Sequence, residues 1–188
     1  MNFVTHDALP NWIEYLKIFG PIIVGLLSVI LAFTMNIITL NNKKREDKIE
    51  SIKKKIDEFY SPFDQYRKKS LKLYKIFKKN REESFRTLPA LLWGKDLDNN
   101  DQQLIEEIIS IDQKLETMIF EKSGFVDDED FRELLAKAST HFYIIREAYH
   151  GRLKEETDRF MNYVFPHELD KQVSKQITKL KNELERLQ

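Results

Sequence analysis

Cysteine is absent from the 188 residues, so a disulfide scaffold and cysteine-bound zinc are both excluded, and the chain suits a reducing compartment. Glycine and proline are scarce, with five of each. That supply is poor for glycine-rich phosphate loops and for many-stranded folds rich in turns. Neither sign of charge is in excess: 31 Lys and Arg balance 31 Asp and Glu. A third of the residues are nonetheless charged, and they are unevenly placed. Residues 1–40 carry a net charge of −1, residues 41–82 a net of +8, and residues 83–188 a net of −7. The chain reads as all-α.

Residues 18–40, IFGPIIVGLLSVILAFTMNIITL, contain no charge. At ~1.5 Å per residue they span ~35 Å as a helix, slightly more than a ~30 Å hydrocarbon core. No polar face is wide enough to meet water, so a transmembrane helix is expected, with Pro21 in its first turn. A cleaved signal peptide fits less well: the apolar run is long, its upstream flank is not basic, and no small-residue cleavage site follows. Lys43, Lys44, Arg45 and Lys48 follow the span, whereas Lys17 before it is opposed by Glu14. The positive-inside rule then puts the N-terminal flank outside and the C-terminal domain in the cytoplasm, at the inner membrane. Trp12, Tyr15 and Phe19 suit the headgroup layer. Ser28, Ala32 and Asn36 recur every fourth residue, with Gly25 and Thr39 at the edges of the stripe. Small residues and one amide suit association with a second helix, which makes a homo-oligomer one expectation. The alternative is that Asn36 lies near the interface and reaches water.

Four segments follow: an external tail and interfacial stretch (1–17), the span (18–40), basic juxtamembrane helices (41–82), and an acidic helical bundle domain (83–188). Ile49, Ile52, Ile56, Phe59, Phe63 and Tyr66 alternate at spacings of three and four. This seam suits either a dimeric coiled coil continuing the anchor or the buried stripe of a bundle helix. Pro62 predicts a kink or break just before it. A basic helix follows, then a short buried LPALLW segment. The spacing predicts a helix over about 100–122, another from Asp127 or Asp128 towards Gly151, a further one over about 152–163 ended by Pro166, and a last coiled-coil-like helix from His167 onward.

The DDED run at 127–130 could suggest a metal, but it opens a helix, where a carboxylate caps free N–H groups. No zinc, calcium or cofactor motif is present. Arg146 and His150 share a helix face and resemble the Arg/His pair of HEPN ribonucleases. Only three residues intervene here, and the residue after the arginine is the acidic Glu147. The alternative is an ordinary surface pair. Lys43, Lys44, Arg45, Lys48, Lys53, Lys54 and Lys55 begin where the span ends, so an anionic inner leaflet, rather than nucleic acid, is the expected partner. The basic helices also have an intramolecular alternative, packing against the acidic remainder.

The order of a span, a basic helix ending in FYSPF, a SGFVDDEDF helix start and YVFPHELDKQ before the final helix resembles a group of small, uncharacterised bacterial membrane-anchored helical proteins. That resemblance implies an anchored helical domain and supplies no catalytic residues. Some anti-phage systems use effectors of similar architecture. The expected function is a non-enzymatic interaction module that recruits an unknown protein partner or self-assembles. The alternative is a defence or toxin effector acting on the membrane or on RNA.

Overall fold

The computed structural model describes residues 11–188 except 80, 84, 94–96, 154–156 and 161–162; for 11, 14 and 157 it describes the backbone only. His6, Gly94 and Asp96 therefore lie outside the described residues. All regular structure among the described residues is helical. The chain divides into two units, Met1–Ile49 and Glu50–Gln188, with the division falling inside the first helix, α1 (Asn11–Lys55).

In the first unit, helix begins earlier than expected. Pro21 is interior to α1 rather than in its first turn, so the Lys17 carbonyl has no N–H to accept from at position 21. The cost of one backbone bond does not break α1, which runs on through Gly20 and the β-branched Ile22, Ile23 and Val24.

In the second unit, Pro62 produces a π-helical turn, Ile56–Tyr60, and not a break. Proline has no N–H for the carbonyl four residues back, and its ring presses on that carbonyl. The wider turn relieves this: the Ser61 N–H reaches the carbonyl of Ile56, five residues back. Pro62 then sits in the first turn of α2 (Ser61–Lys78). The remaining helices are α3 (Thr87–Leu92), α4 (Asn99–Glu121), α5 (Glu129–Tyr149) and α6 (Glu168–Leu187). Short 3₁₀ turns lie at Ser123–Phe125 and Thr157–Arg159. α2 packs on α4, α4 on α5, and α5 on both α3 and α6.

The core has two clusters. One joins Phe59 and Phe63 to Leu115 of α4, Phe131 of α5 and Leu169 of α6. The other joins Phe77 and Leu88 to Ile105, Ile109 and Ile145. Ile52 and Ile56 are also buried within the chain, so the seam that suited a coiled-coil dimer is already covered. Trp93, expected inside with LPALLW, is 57% exposed. It follows the last turn of the six-residue α3, which turns Leu88 and Ala90 inward instead.

Helix ends follow side-chain chemistry. Asp98 caps α4 by accepting from the Asp101 N–H at 2.8 Å. Asp128, not Asp127, caps α5: its Oδ1 accepts from the Phe131 N–H at 3.0 Å, and its Oδ2 accepts from Gln176 Nε2 of α6 at 3.1 Å. α5 closes in a Schellman motif. Gly151 has φ 67°, its N–H bonds the Ala148 carbonyl, and the Arg152 N–H bonds the Glu147 carbonyl. The helix expected over 152–163 is not formed among its described residues, which show only the 3₁₀ turn. Beyond it, residues 163–166 are non-helical, and Phe165 is held between Arg67, 3.9 Å from its ring centre, and Phe142 at 5.9 Å. These tertiary contacts outweigh local helical spacing.

Candidate functional site

Two features stand out: an uncovered apolar helix and a polar cavity in the second unit. The large apolar residues between positions 18 and 40 are 43 to 68% exposed. Near the N-terminus, one helix is long and apolar enough to cross a membrane. Its hydroxyls are turned onto its own backbone, Ser28 to the Val24 carbonyl at 2.8 Å, Thr34 to the Leu31 carbonyl at 2.8 Å and Thr39 to the Met35 carbonyl at 2.9 Å. That removes three donors from an apolar surface. The Asn36 amide makes no hydrogen bond among the described residues, and a Cβ built on Gly25 would meet nothing within 4 Å. Gly25, Ser28, Ala32 and Asn36 are all exposed.

Lys43, Lys44, Arg45, Lys48, Lys53 and Lys54 are exposed too. Lys55 is not free for a membrane surface, because its Nζ lies 2.5 Å from Asp127 Oδ2. Further along, the basic stretch meets the acidic one. Arg67 forks onto Asp170 at 2.8 and 3.2 Å, Lys69 reaches Glu107 at 2.6 Å, and Arg81 pairs with Asp101. The intramolecular alternative for these basic residues is therefore the observed one.

Arg146 and His150 are not brought together by a hydrogen bond among the described residues. Arg146 is largely covered, 2.5 Å from Glu116 and 3.6 Å from Glu147. His150 is exposed at the C-cap of α5 with its ring edge-on to Tyr149. The arginine's charge is thus met by two carboxylates. The acidic run at 127–130 is a cap, an ion pair to Lys55 and an ion pair from Glu129 to Arg132, and no group of metal-binding side chains occurs among the described residues.

The cavity has a volume of about 640 Å³ and lies among α2, α3, α4, α5 and the segment before α6. Its polar groups come from different elements: Arg67, Ser70 and Lys78 from α2, Arg86 and Thr87 at the start of α3, Asp112 from α4, His141 from α5, and His167 and Asp170 at the start of α6. Asp112 is only 7% exposed, and its Oδ1 accepts from Ser70 Oγ at 3.0 Å. Burial pushes its carboxyl up to about 7, against the smaller opposing effects of the Ser70 bond and the Arg67 charge. His141 Nδ1 lies 3.1 Å from the Tyr163 carbonyl. Burial lowers this imidazole to about 4, with the Tyr163 bond opposing and Arg67 and His167 adding to the shift. Thr87 Oγ1 is buried with no hydrogen-bond partner.

None of these cavity residues stands out by motif, but Asp112, Ser70 and His141 each have a positional signal. Ile105, Ile108, Asp112, Leu115 and Ile119 share one stripe of α4, so a carboxyl occupies a core position. Ser70 likewise falls between Tyr66 and Phe77 on α2, and His141 three residues after Ala138 on α5. No protein-family model, characterised protein or solved structure matches the chain.

Proposed function

We propose that this chain is a single-pass membrane protein in which residues 18–40 anchor the helical domain that follows, and that the domain acts by interaction at the membrane surface, by recruiting a partner or by self-association. The observation that supports the reading is the uncovered apolar helix of the first unit, in a chain whose second unit buries a core of its own. Apolar side chains over twenty-three uncharged residues are costly in water, and lipid removes that cost. The cluster Lys43, Lys44, Arg45 and Lys48 favours the orientation with the N-terminal flank outside and the domain cytoplasmic.

The test is topological. A phosphatase fused before residue 11 is expected to be active outside the cell, and a fluorescent protein fused after residue 188 to be bright inside. Replacing the four cations by Gln is expected to produce a mixed orientation. Release of the full chain from membranes by alkaline carbonate, or digestion of the C-terminal domain by external protease, would reject the anchor or its orientation respectively.

A further inference from the structure

We propose that the cavity of the second unit binds a small organic cation, a single amine on an apolar body, with the ammonium group held at Asp112. The cavity's lining, with Asp112 and His141 in it, defines this chemistry.

Asp112 is a buried carboxyl with one hydrogen bond, from Ser70, and no salt bridge among the described residues. Arg67 lines the same cavity, but its guanidinium forks onto Asp170 and its face covers the Phe165 ring. Its charge is therefore largely met elsewhere. A buried carboxylate without a counter-ion is costly, and a ligand cation would remove that cost. His141 also offers a lone pair. A carbonyl can only accept, so the His141 Nδ1 must carry the proton donated to Tyr163, which leaves Nε2 as an acceptor. An ammonium group supplies three N–H donors and one positive charge. An alcohol supplies one donor and no charge, and a carboxylate would set a second anion beside Asp112.

Leu71, Tyr74, Ile108, Phe142 and Ile145 form the apolar part of the wall. A volume of about 640 Å³ is that of an ordinary small-molecule site. Lys78 and Arg86 also line the cavity and oppose a second positive charge, so a monoamine is favoured over a polyamine.

The full chain in phosphatidylcholine nanodiscs is titrated calorimetrically at pH 8 with 2-phenylethylamine, 2-phenylethanol, 3-phenylpropionate and spermidine, with empty nanodiscs as the blank. Saturable binding of 2-phenylethylamine at one site per chain is expected, with the other three much weaker. Asp112→Asn, shown folded by circular dichroism, is expected to weaken amine binding by ~30-fold or more. His141→Phe, which removes the Nε2 acceptor while leaving Asp112 in place, is expected to weaken it about fivefold, and it decides the matter if Asp112→Asn does not fold. Equal binding of amine and alcohol, preference for 3-phenylpropionate (an anion site at Lys78 and Arg86), unchanged amine affinity in either folded variant, or no binding of any probe would overturn the proposal.

Discussion

Single side chains carry unequal weight in this domain, and the two neighbouring carboxylates at the start of α5 illustrate it. Asp128 serves a backbone N–H and the buried Gln176 together, whereas Asp127 is an exposed partner of Lys55. Asp128→Ala is expected to lower the stability of the domain by about 1–2 kcal/mol through the lost cap, and Asp127→Ala to leave it nearly unchanged; urea denaturation followed by circular dichroism compares them. Asp112 and His141 set opposing pH responses. A carboxyl raised to about 7 favours the fold fully below its ordinary range near 3.8, and that contribution is lost as pH rises through about 7. An imidazole lowered to about 4 favours the fold above its ordinary value of 6.5, and that contribution is lost as pH falls towards about 4. Between those ordinary and shifted values the two oppose each other. Asp112→Asn is thus expected to gain stability over the parent at pH 8, and to lose stability more steeply than the parent between pH 6.5 and 4.5. Parallel urea midpoints for the two proteins across that range would contradict the assigned shifts. At this scale the sequence was only partly legible. The stripe positions of Asp112, Ser70 and His141 were readable, but four helices had to converge before those positions became one cavity.

Helices were legible where apolar spacing was long and uninterrupted. α4, α5 and α6 lie close to where their stripes place them. The failures have local causes: a proline absorbed by a widened turn, a glycine that closes α5, and a segment fixed by Arg67 and Phe142 rather than by its own spacing. Gly151→Ala forces a side chain into left-handed backbone and is expected to cost about 1 kcal/mol, read from the thermal midpoint. The seam between α1 and the π turn has a related lesson. Spacing alone left an inter-chain contact open, but burial of Ile52 within the chain means that Ile52→Lys is expected to unfold the domain by several kcal/mol and not merely to separate two copies. The exposed stripe of α1 is the surface left for self-association. In native membranes Ser28→Cys and Ala32→Cys are expected to crosslink more efficiently than Ile30→Cys, because small side chains allow close approach. Equal crosslinking at all three, or none, would remove the stripe as a contact.

Within the second unit, part of the charge asymmetry of the sequence has become internal pairing. Residues 45–188 alone are expected to be soluble and strongly helical; a product that aggregates or shows strand by circular dichroism would contradict a self-sufficient core. The pairing also has a consequence in time. Lys55 meets a residue 72 positions later, and Arg67 one 103 positions later. Leu169 and Val173 of α6 complete the same core that Phe59 and Phe63 begin. During synthesis at ~5–20 residues per second, the early basic helices must therefore wait several seconds for their partners to leave the ribosome. Over that interval Phe59, Phe63 and the unpaired cations stand open to chaperones, to lipid headgroups and to other nascent chains. The arrival of α6 closes that window, so chains that stall before it are the ones expected to be captured by quality control.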